Sequence, residues 1–532
     1  MHLSKHDLIQ MDGAWLKKLK PEALLEVSNR LLDDVKELQD RLNRNPDNSS
    51  QPPSSQAPWS RSTPEPVLAE NAESEEQEER EKIEKAAVEI AQKATSEEDK
   101  KEDTKKTLKP SLPSKKPPGK QKGSLGYGRT QKLAFTATCD HRPDRCTACG
   151  NPLGADAPSQ AYTGWDEIDI APQVQDLIGM TFSVTRHRLY DVTCSCDHIS
   201  RAMPWRAPPD QQFKTVEVGE WRLVGPRLAG VIVMLSLRMR LSRKRIQELL
   251  GELFGLSLST GVIDETIREA GQACLPLEDV LLNEIIQAPQ LNVDETSWPE
   301  AGKTLWLWVL YTTNAVLFFI GTRSREILEN ALQNGFFGIL MSDGYAVYRA
   351  WTNRLRCWVH LMRKLRGLAE STDRRVAGIG LEMEGLMNTL MDAIYAARSS
   401  PPQEALPIIH AKVILRLREI CETHRNDLHA VLRGVVREFL YDWDVILRQV
   451  AEPHLPLTNN DAERALRHWV ISRYISHGTR SEQGSRAFAL LASVIETCRL
   501  RKASTWQYLG SAIAAARKGL PLPLLPVVAD LA

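Results

Sequence analysis

The sequence predicts an α/β protein of several domains, and three observations predict it. Strand-length apolar runs alternate with helical stretches in the middle of the chain. Two of those runs end on an acid: Leu291-Asn-Val on Asp294 and, about fifty residues later, Phe337-Gly-Ile-Leu-Met on Ser342-Asp343-Gly344. Cysteine pairs mark a separate β-rich module before them. At 532 residues and 42% hydrophobic content, the chain has the length for about two or three domains and the apolar material for a sizeable core. Lys plus Arg equals Asp plus Glu at 68 each, so net charge names no partner and the placement of charge must do so. The chain does not open on a basic segment followed by an apolar one, and no run of about eighteen apolar residues occurs; nothing sends it through a membrane. Nine unevenly clustered cysteines without a secretion signal point to metal ligation or free thiols and to the cytoplasm.

Residues 15 to 45 read as a helix. Leu24, Leu31 and Leu38 interleave with Ser28, Val35 and Leu42 at alternating steps of four and three, the spacing of a coiled-coil seam. An amphipathic helix packed on its own domain has the same pattern. Asn45-Pro46 ends it. From Asn48 to about Leu125 the composition turns to Ser, Pro, Gln, Glu and Lys, which cannot bury enough apolar surface to offset ordering entropy, so a disordered linker is expected. Glu75 to Lys106 has the Glu and Lys pairs of a partly helical stretch, and Lys115 to Lys122 is a basic run that can act as solvated spacer or phosphate contact.

Cys146-Thr-Ala-Cys149-Gly150 is a knuckle that suits Zn²⁺, and Cys194-Ser-Cys196 supplies a second pair after a β-rich stretch. Four thiolates meet the tetrahedral demand of a structural zinc; the tighter second pair leaves Cys139, His187 and His198 as substitutes. After Arg222, an apolar helix from Gly225 precedes Ser242 to Gly255 and a further helix capped by Ser259, the rhythm of a helix-turn-helix. Arg243, Lys244 and Arg245 at its start favour phosphate contact, and the second helix could enter a major groove.

Beyond Asp294, two β-rich runs (304 to 311 and 316 to 320), a short helix over Arg325 to Asn334 and the strand ending near Asp343 give acids on the first and fourth strands. That is the order of a ribonuclease-H-like sheet. Charged amphipathic runs fill residues 360 to 450 as a helical insertion, after which Glu463 begins a helix. An Asp after a strand is commonly a turn former or cap; two Asp in this order with a following Glu suit Mg²⁺, which prefers oxygen ligands. Two ions about 4 Å apart could clamp a scissile phosphate. Glu295 points away from Asp294 on a strand, and Asp461 lies off the face of Glu463 on a helix, so both are weaker candidates. Arg464, Arg467, Arg473 and Arg480 read as phosphate clamps beside the third acid. The pair Cys357 and His360 does not complete a zinc shell, so packing is expected of His360.

Together the leucine-seam helix, Asn48-Ser-Ser-Gln-Pro-Pro-Ser-Ser55, the Cys-rich knuckle, Gly225-Pro-Arg-Leu, Asp294-Glu-Thr, Ser342-Asp-Gly-Tyr-Ala-Val-Tyr348, Cys357-Trp-Val-His-Leu361 and Asn459-Asn-Asp-Ala-Glu-Arg-Ala-Leu-Arg467 resemble bacterial DDE transposases of the insertion-sequence-66 family. The resemblance spans nearly the whole chain. It implies strand cleavage and transfer at element ends by the acidic triad Asp294, Asp343 and Glu463 with two Mg²⁺ or Mn²⁺ ions. It implies terminal inverted repeats and target DNA as partners, a homo-oligomer such as a dimer on DNA, accessory proteins of the same element, and association with the nucleoid when bound. The second cysteine pair and the long Lys- and Glu-rich linker depart from the family's pattern.

The expected boundaries are 1–46 for the coiled-coil helix, 47–130 for the linker, 131–215 for the zinc-binding module and 216–285 for the helix-turn-helix region. The ribonuclease-H-like core follows at 286–358 with 452–515, the all-helical insertion at 359–451, and a tail at 516–532. Two other functions fit the same elements: a catalytically inactive DNA-binding regulator, and a nuclease of the same fold without strand transfer. A pure binder has no need of the triad. Hydrolysis and transesterification use the same metals, so the nuclease is not separable by sequence.

Overall fold

The computed structural model describes residues 11, 13–16, 18–44, 48, 133–171, 180–208, 216–332 and 335–527. Apart from Asn48, the expected linker lies outside them, as do its helical and basic stretches. The described residues fold as a mixed α/β protein with two mixed sheets.

Helix α1, Pro21–Leu42, starts at a proline suited to a first helical turn. It is shorter than the 15 to 45 expected and docks by its polar face. Asp34 and Glu37 are buried, and Asp40 accepts from the Thr372 backbone N–H at 2.8 Å and lies 3.5 Å from His429 Nε2. Leu24, Val35, Leu38 and Leu42 of the seam are exposed.

A first sheet is built from β1, Ala137–His141, β2, Ser159–Ile170, β3, Phe182–Thr193, and β4, Ile199–Arg201. β2 pairs antiparallel with β3; β1 (parallel) and β4 (antiparallel) pair with β3 as well. Side chains on one face pair by charge, Arg186 with Asp166 and Arg188 with Asp140.

Helix α2, Pro226–Val233, runs into a π-helical turn, Met234–Arg238. Helices α3, Arg243–Phe254, α4, Thr260–Ala273, and α5, Pro276–Ile286, follow. The caps read from sequence are in place. Ser242 and Ser259 each accept an N–H three residues on, and Gly255 closes α3 at φ +65°. The C-terminal half of α4 is packed into the protein, while Thr260 and Gly261 in its first turn are exposed. Ile263, Ile267, Ala270 and Ala273 are buried in the main core. A Cβ on Gly271 would lie 2.6 Å from that of Ala487, so α4 is seated against another helix, α13, whose range is given below.

The second sheet has the order β7-β6-β5-β8-β9: β5, Gln290–Glu300, β6, Lys303–Tyr311, β7, Val316–Gly321, β8, Ile339–Ser342, and β9, Arg354–Arg356. β5 to β7 are antiparallel neighbours, whereas β8 pairs parallel with both β5 and β9. Helix α6, Arg325–Leu332, connects β7 to β8. Leu307, Trp308, Val309 and Leu310 are all buried, which is what a near-continuous apolar strand in mid-sheet should show.

Residues 358 to 457 pack around a separate hydrophobic cluster. They include α7, Trp358–Ala369, α8, Arg374–Ser399, α9, Ala411–Thr423, α10, Ala430–Tyr441, and α11, Trp443–Ala451. A buried ion network fastens them to β9: Asp442 meets Arg354 and Arg356, while Glu438 meets Arg356 and Lys364. The chain then returns to the main core with α12, Asn460–Ser476, α13, Glu482–Leu500, and α14, Thr505–Arg517. α13 covers the edge strand β7: Ser493 Oγ accepts from Phe318 N–H at 2.8 Å and Thr497 Oγ1 from Val316 N–H at 3.0 Å, removing an edge open to another chain. The residues expected as a tail also join the core. Arg517 ends α14 buried and pairs with Glu269 at 2.8 Å, and Leu525 is buried.

Candidate functional site

Asp294 lies on β5 and Asp343 one residue past β8. The parallel register pairs Asn292 with Met341, and each acid lies two residues further on. The apolar run ends at Asp294 but the strand does not, because Glu295 to Glu300 continue to pair with β6. Glu463 sits in the first turn of α12. Its placement depends on where the insertion closes. The Asn459 backbone N–H donates to Cys357 Sγ at 3.3 Å, joining the residue before the insertion's first helix to the one before α12. Asn459, itself fully buried, donates from Nδ2 to the Val293 carbonyl at 2.8 Å, next to Asp294.

The electrostatics bear the mark of crowded acids. Burial, followed by the negative charges of Glu295, Asp343 and Glu463, holds the Asp294 carboxyl well above the ordinary carboxylate range. Glu463 Oε1 is buried without a hydrogen-bond partner among the described residues, and His360 Nδ1 lies 3.8 Å away. Cys357, His360 and Glu463 each offer a donor atom within 4.8 Å of the others. Carboxylates that repel one another, one with an unused oxygen, fit a divalent cation with oxygen preference.

Glu295 turns to the other side of β5, as the strand alternation requires. It is held by Arg323 at 2.7 Å and by the Tyr348 hydroxyl. Burial and the Asp343 charge still push it up to about 7. Asp461 is half-exposed and paired with Arg464.

The expected basic contacts divide. Lys244, Arg245, Arg464, Arg467 and Arg480 are exposed. Arg243 is half-buried, 3.3 Å from Asp264, and shares with Arg240, Arg268 and Arg480 the lining of a cleft of about 840 Å³. Arg473 is the exception: it is buried and donates to Thr296 Oγ1 and Ser297 Oγ at 2.9 Å each, bracing β5 from inside instead of facing solvent with the others.

The four cysteines meet. Cys146 Sγ lies 3.7 Å from Cys196 Sγ and Cys149 Sγ 3.6 Å from Cys194 Sγ, with all four within 4.8 Å. Four sulfurs about 2.3 Å from one tetrahedral ion would stand about 3.8 Å apart, so the cluster has the size of a metal site. Each pair is carried by a tight turn. Gly150 N–H donates to the Cys146 carbonyl at φ +74°, and Asp197 N–H to the Cys194 carbonyl at φ +62°. The backbone N–H of Cys149 outweighs burial and brings the Cys146 thiol down to about 6. His198, a possible substitute, is bonded to Thr147 Oγ1 at 2.8 Å. Cys139 and His187 belong to a different cluster with His141, a residue the sequence reading did not single out.

Acids on neighbouring strands, a further acid on a helix after a helical insertion and a cysteine module ahead of them are the features that carry the sequence's resemblance to transposases of bacterial insertion sequences. The family model described as Transposase IS66 family matches residues 222–487, half of the chain, and the chain belongs to that family. Three similar proteins come from Sinorhizobium fredii (strain NBRC 101917 / NGR234), each described as uncharacterized. Protein y4jO is 29% identical over 172 residues, 32% of this chain and 51% of that protein. Protein y4qI is 23% identical over 297 residues, 50% of this chain and 55% of that protein. Protein y4hP is 22% identical over 410 residues, 70% of each chain. The chain thus spans about half the length of the first two. Among the described residues, no helix is long and apolar enough to cross a membrane.

Proposed function

We propose that this chain is a DNA transposase whose ribonuclease-H-like core cleaves and joins strands at the ends of an insertion sequence. What supports this reading is that the negative charges of both Asp343 and Glu463 reach the buried Asp294 carboxyl and raise it. Asp294 and Asp343 would hold the shared cations and Glu463 would complete one shell. Bound Mg²⁺ or Mn²⁺ would supply Lewis-acid stabilisation to the attacking and leaving oxygens of the phosphate.

The chain's own groups account for the remainder. Asn459 and Cys357 fix the turn that presents Glu463, and His360 buttresses that carboxylate from α7. Cleavage exchanges one P–O bond for another, and the nucleophile's proton needs an acceptor; the unpartnered Glu463 oxygen is available for it. Lys244, Arg245, Arg464, Arg467 and Arg480, exposed and able to pair with phosphate oxygens, would hold the DNA along with the cleft lined by Arg243. The partners are element ends and target DNA. The exposed seam of α1 fits an oligomer formed through it.

The test uses labelled element ends with one preparation of wild type and one of Asp343→Asn. The substitution should leave the mobility shift intact, since DNA affinity comes from many dispersed cations, and abolish Mg²⁺-dependent cleavage. A variant that still cuts at near wild-type rate removes Asp343 from the site.

A further inference from the structure

We infer that Cys139, His141 and His187 form a second metal site, separate from the four-cysteine cluster, that takes a zinc-class divalent cation. Cys139 and His141 are two residues apart on β1 and therefore share a face. The parallel pairing of β1 with β3 sets His187 directly beside Cys139. One donor atom from each residue lies within 4.8 Å of the other two. The intervening Asp140 turns to the opposite face, where Arg188 binds it at 2.6 Å, so no carboxylate of β1 competes for this space.

The two imidazoles are arranged as chelating groups would be. His141 Nε2 and His187 Nδ1 are 2.9 Å apart. Two nitrogens about 2.1 Å from one tetrahedral ion would stand about 3.4 Å apart, so a separation of about half an ångström more admits the ion. His187 Nε2 is buried and has no hydrogen-bond partner among the described residues, so the contact with His141 does not satisfy both ring nitrogens. Trp165 stacks on His187 at 4.4 Å and 4°, and Trp221 stacks on Trp165 in turn. The aromatic wall fixes the ring plane. All three ligand residues are half-buried, which leaves a path for the ion and a fourth position for water. One thiolate and two imidazoles select zinc or a similar transition metal over Mg²⁺, which wants oxygen. The ion would fasten β1 to β3, just ahead of the turn that carries Cys146 and Cys149.

The alternative is an imidazole–imidazole hydrogen bond with no metal, and the two differ in stoichiometry. Full-length protein from zinc-supplemented cultures is assayed by elemental analysis as wild type and as the Cys139→Ser/His141→Asn double variant, with folding followed by circular dichroism. The double variant should carry one zinc per chain fewer than wild type, whatever the four-cysteine cluster holds. An unchanged content overturns the proposal. Should that variant not fold, wild-type protein is stripped of metal and titrated with Co²⁺. A second equivalent should then bind with about a quarter of the thiolate-to-cobalt charge-transfer intensity of the first, one sulfur against four. Saturation at a single, four-sulfur equivalent overturns the proposal equally.

Discussion

The carboxylate cluster and the four-cysteine cluster are assembled in opposite ways. The acids come from β5, the end of β8 and α12, elements linked by sheet register, by the Asn459–Val293 bond and by the return of the chain from a helical insertion with a core of its own. The cysteines come from two local turns whose backbone hydrogen bonds span only a few residues. At the first, neighbouring negative charges raise the buried Asp294 carboxyl, and on the proposed reading a cation would relieve that repulsion. The other rests on the small cluster of Trp165, Leu189 and Ala202, so on the proposed reading a bound ion would add much of what holds its turns together. Metal removal and charge removal should therefore separate the two regions.

The largest expected effect is on cleavage. Asp294→Asn and Asp343→Asn should each lower the Mg²⁺-dependent rate about a thousandfold or more, on the order of 4 kcal/mol of transition-state stabilisation, while zinc content stays unchanged. Wild-type rates in both variants would erase the distinction between the clusters. Next comes chelation: Cys149→Ser or a zinc chelator should expose the amides of residues 133 to 208 to hydrogen exchange while those of β5, β6 and α13 stay protected. Uniform loss of protection would mean one cooperative unit.

Asn459→Ala probes the link that preorganises the acids. It leaves the Val293 carbonyl without its buried donor, which should cost about 1–3 kcal/mol in denaturant unfolding and lower cleavage about tenfold or more through Glu463. A stability loss with an unchanged rate would detach Asn459 from the site. The smallest effect concerns pH. Because the folded-state pKa of Asp294 is raised, the native chain binds more protons than the unfolded one above the ordinary Asp value, so its metal-free stability falls as pH rises through that window. Glu295, with a folded value of about 7 against 4.5, acts in the same direction between those limits. Metal-free Asp294→Asn should thus be more stable than wild type at neutral pH, by on the order of 1 kcal/mol, and lose that advantage towards pH 4. A neutral-pH advantage that persists in acid would place its cause elsewhere than charge.

The elements around the acids were legible because strand pattern, turn residues and chain order all agreed. Asp294 and Asp343 ended apolar runs, and Ser242, Ser259 and Gly255 marked helix ends that the structure keeps. What escaped was decided by tertiary contact. The leucine seam of α1 is left exposed and its polar face is the one that docks, because Asp40 meets Thr372 and His429 in the insertion region, which no local pattern announces. Arg473 looked like its exposed neighbours along α12, yet it is turned inward onto Thr296 and Ser297. A helix-turn-helix rhythm is also the rhythm of core packing, and the contact of Gly271 with Ala487 that seats α4 has no local signature. The cluster of Cys139, His141 and His187 had a faint signal, a Cys-x-His on a strand, whose third member is set by a parallel pairing with no short-range signature.

The most direct measurement of the central claim is Mn²⁺ binding followed by electron paramagnetic resonance on wild type and on Asp294→Asn, Asp343→Asn and Glu463→Gln. If the three acids hold a shared pair of cations, each substitution should weaken Mn²⁺ binding about tenfold or more while zinc content stays constant. Three variants that bind Mn²⁺ as tightly as wild type would show that the acids, though neighbours, are not a metal site.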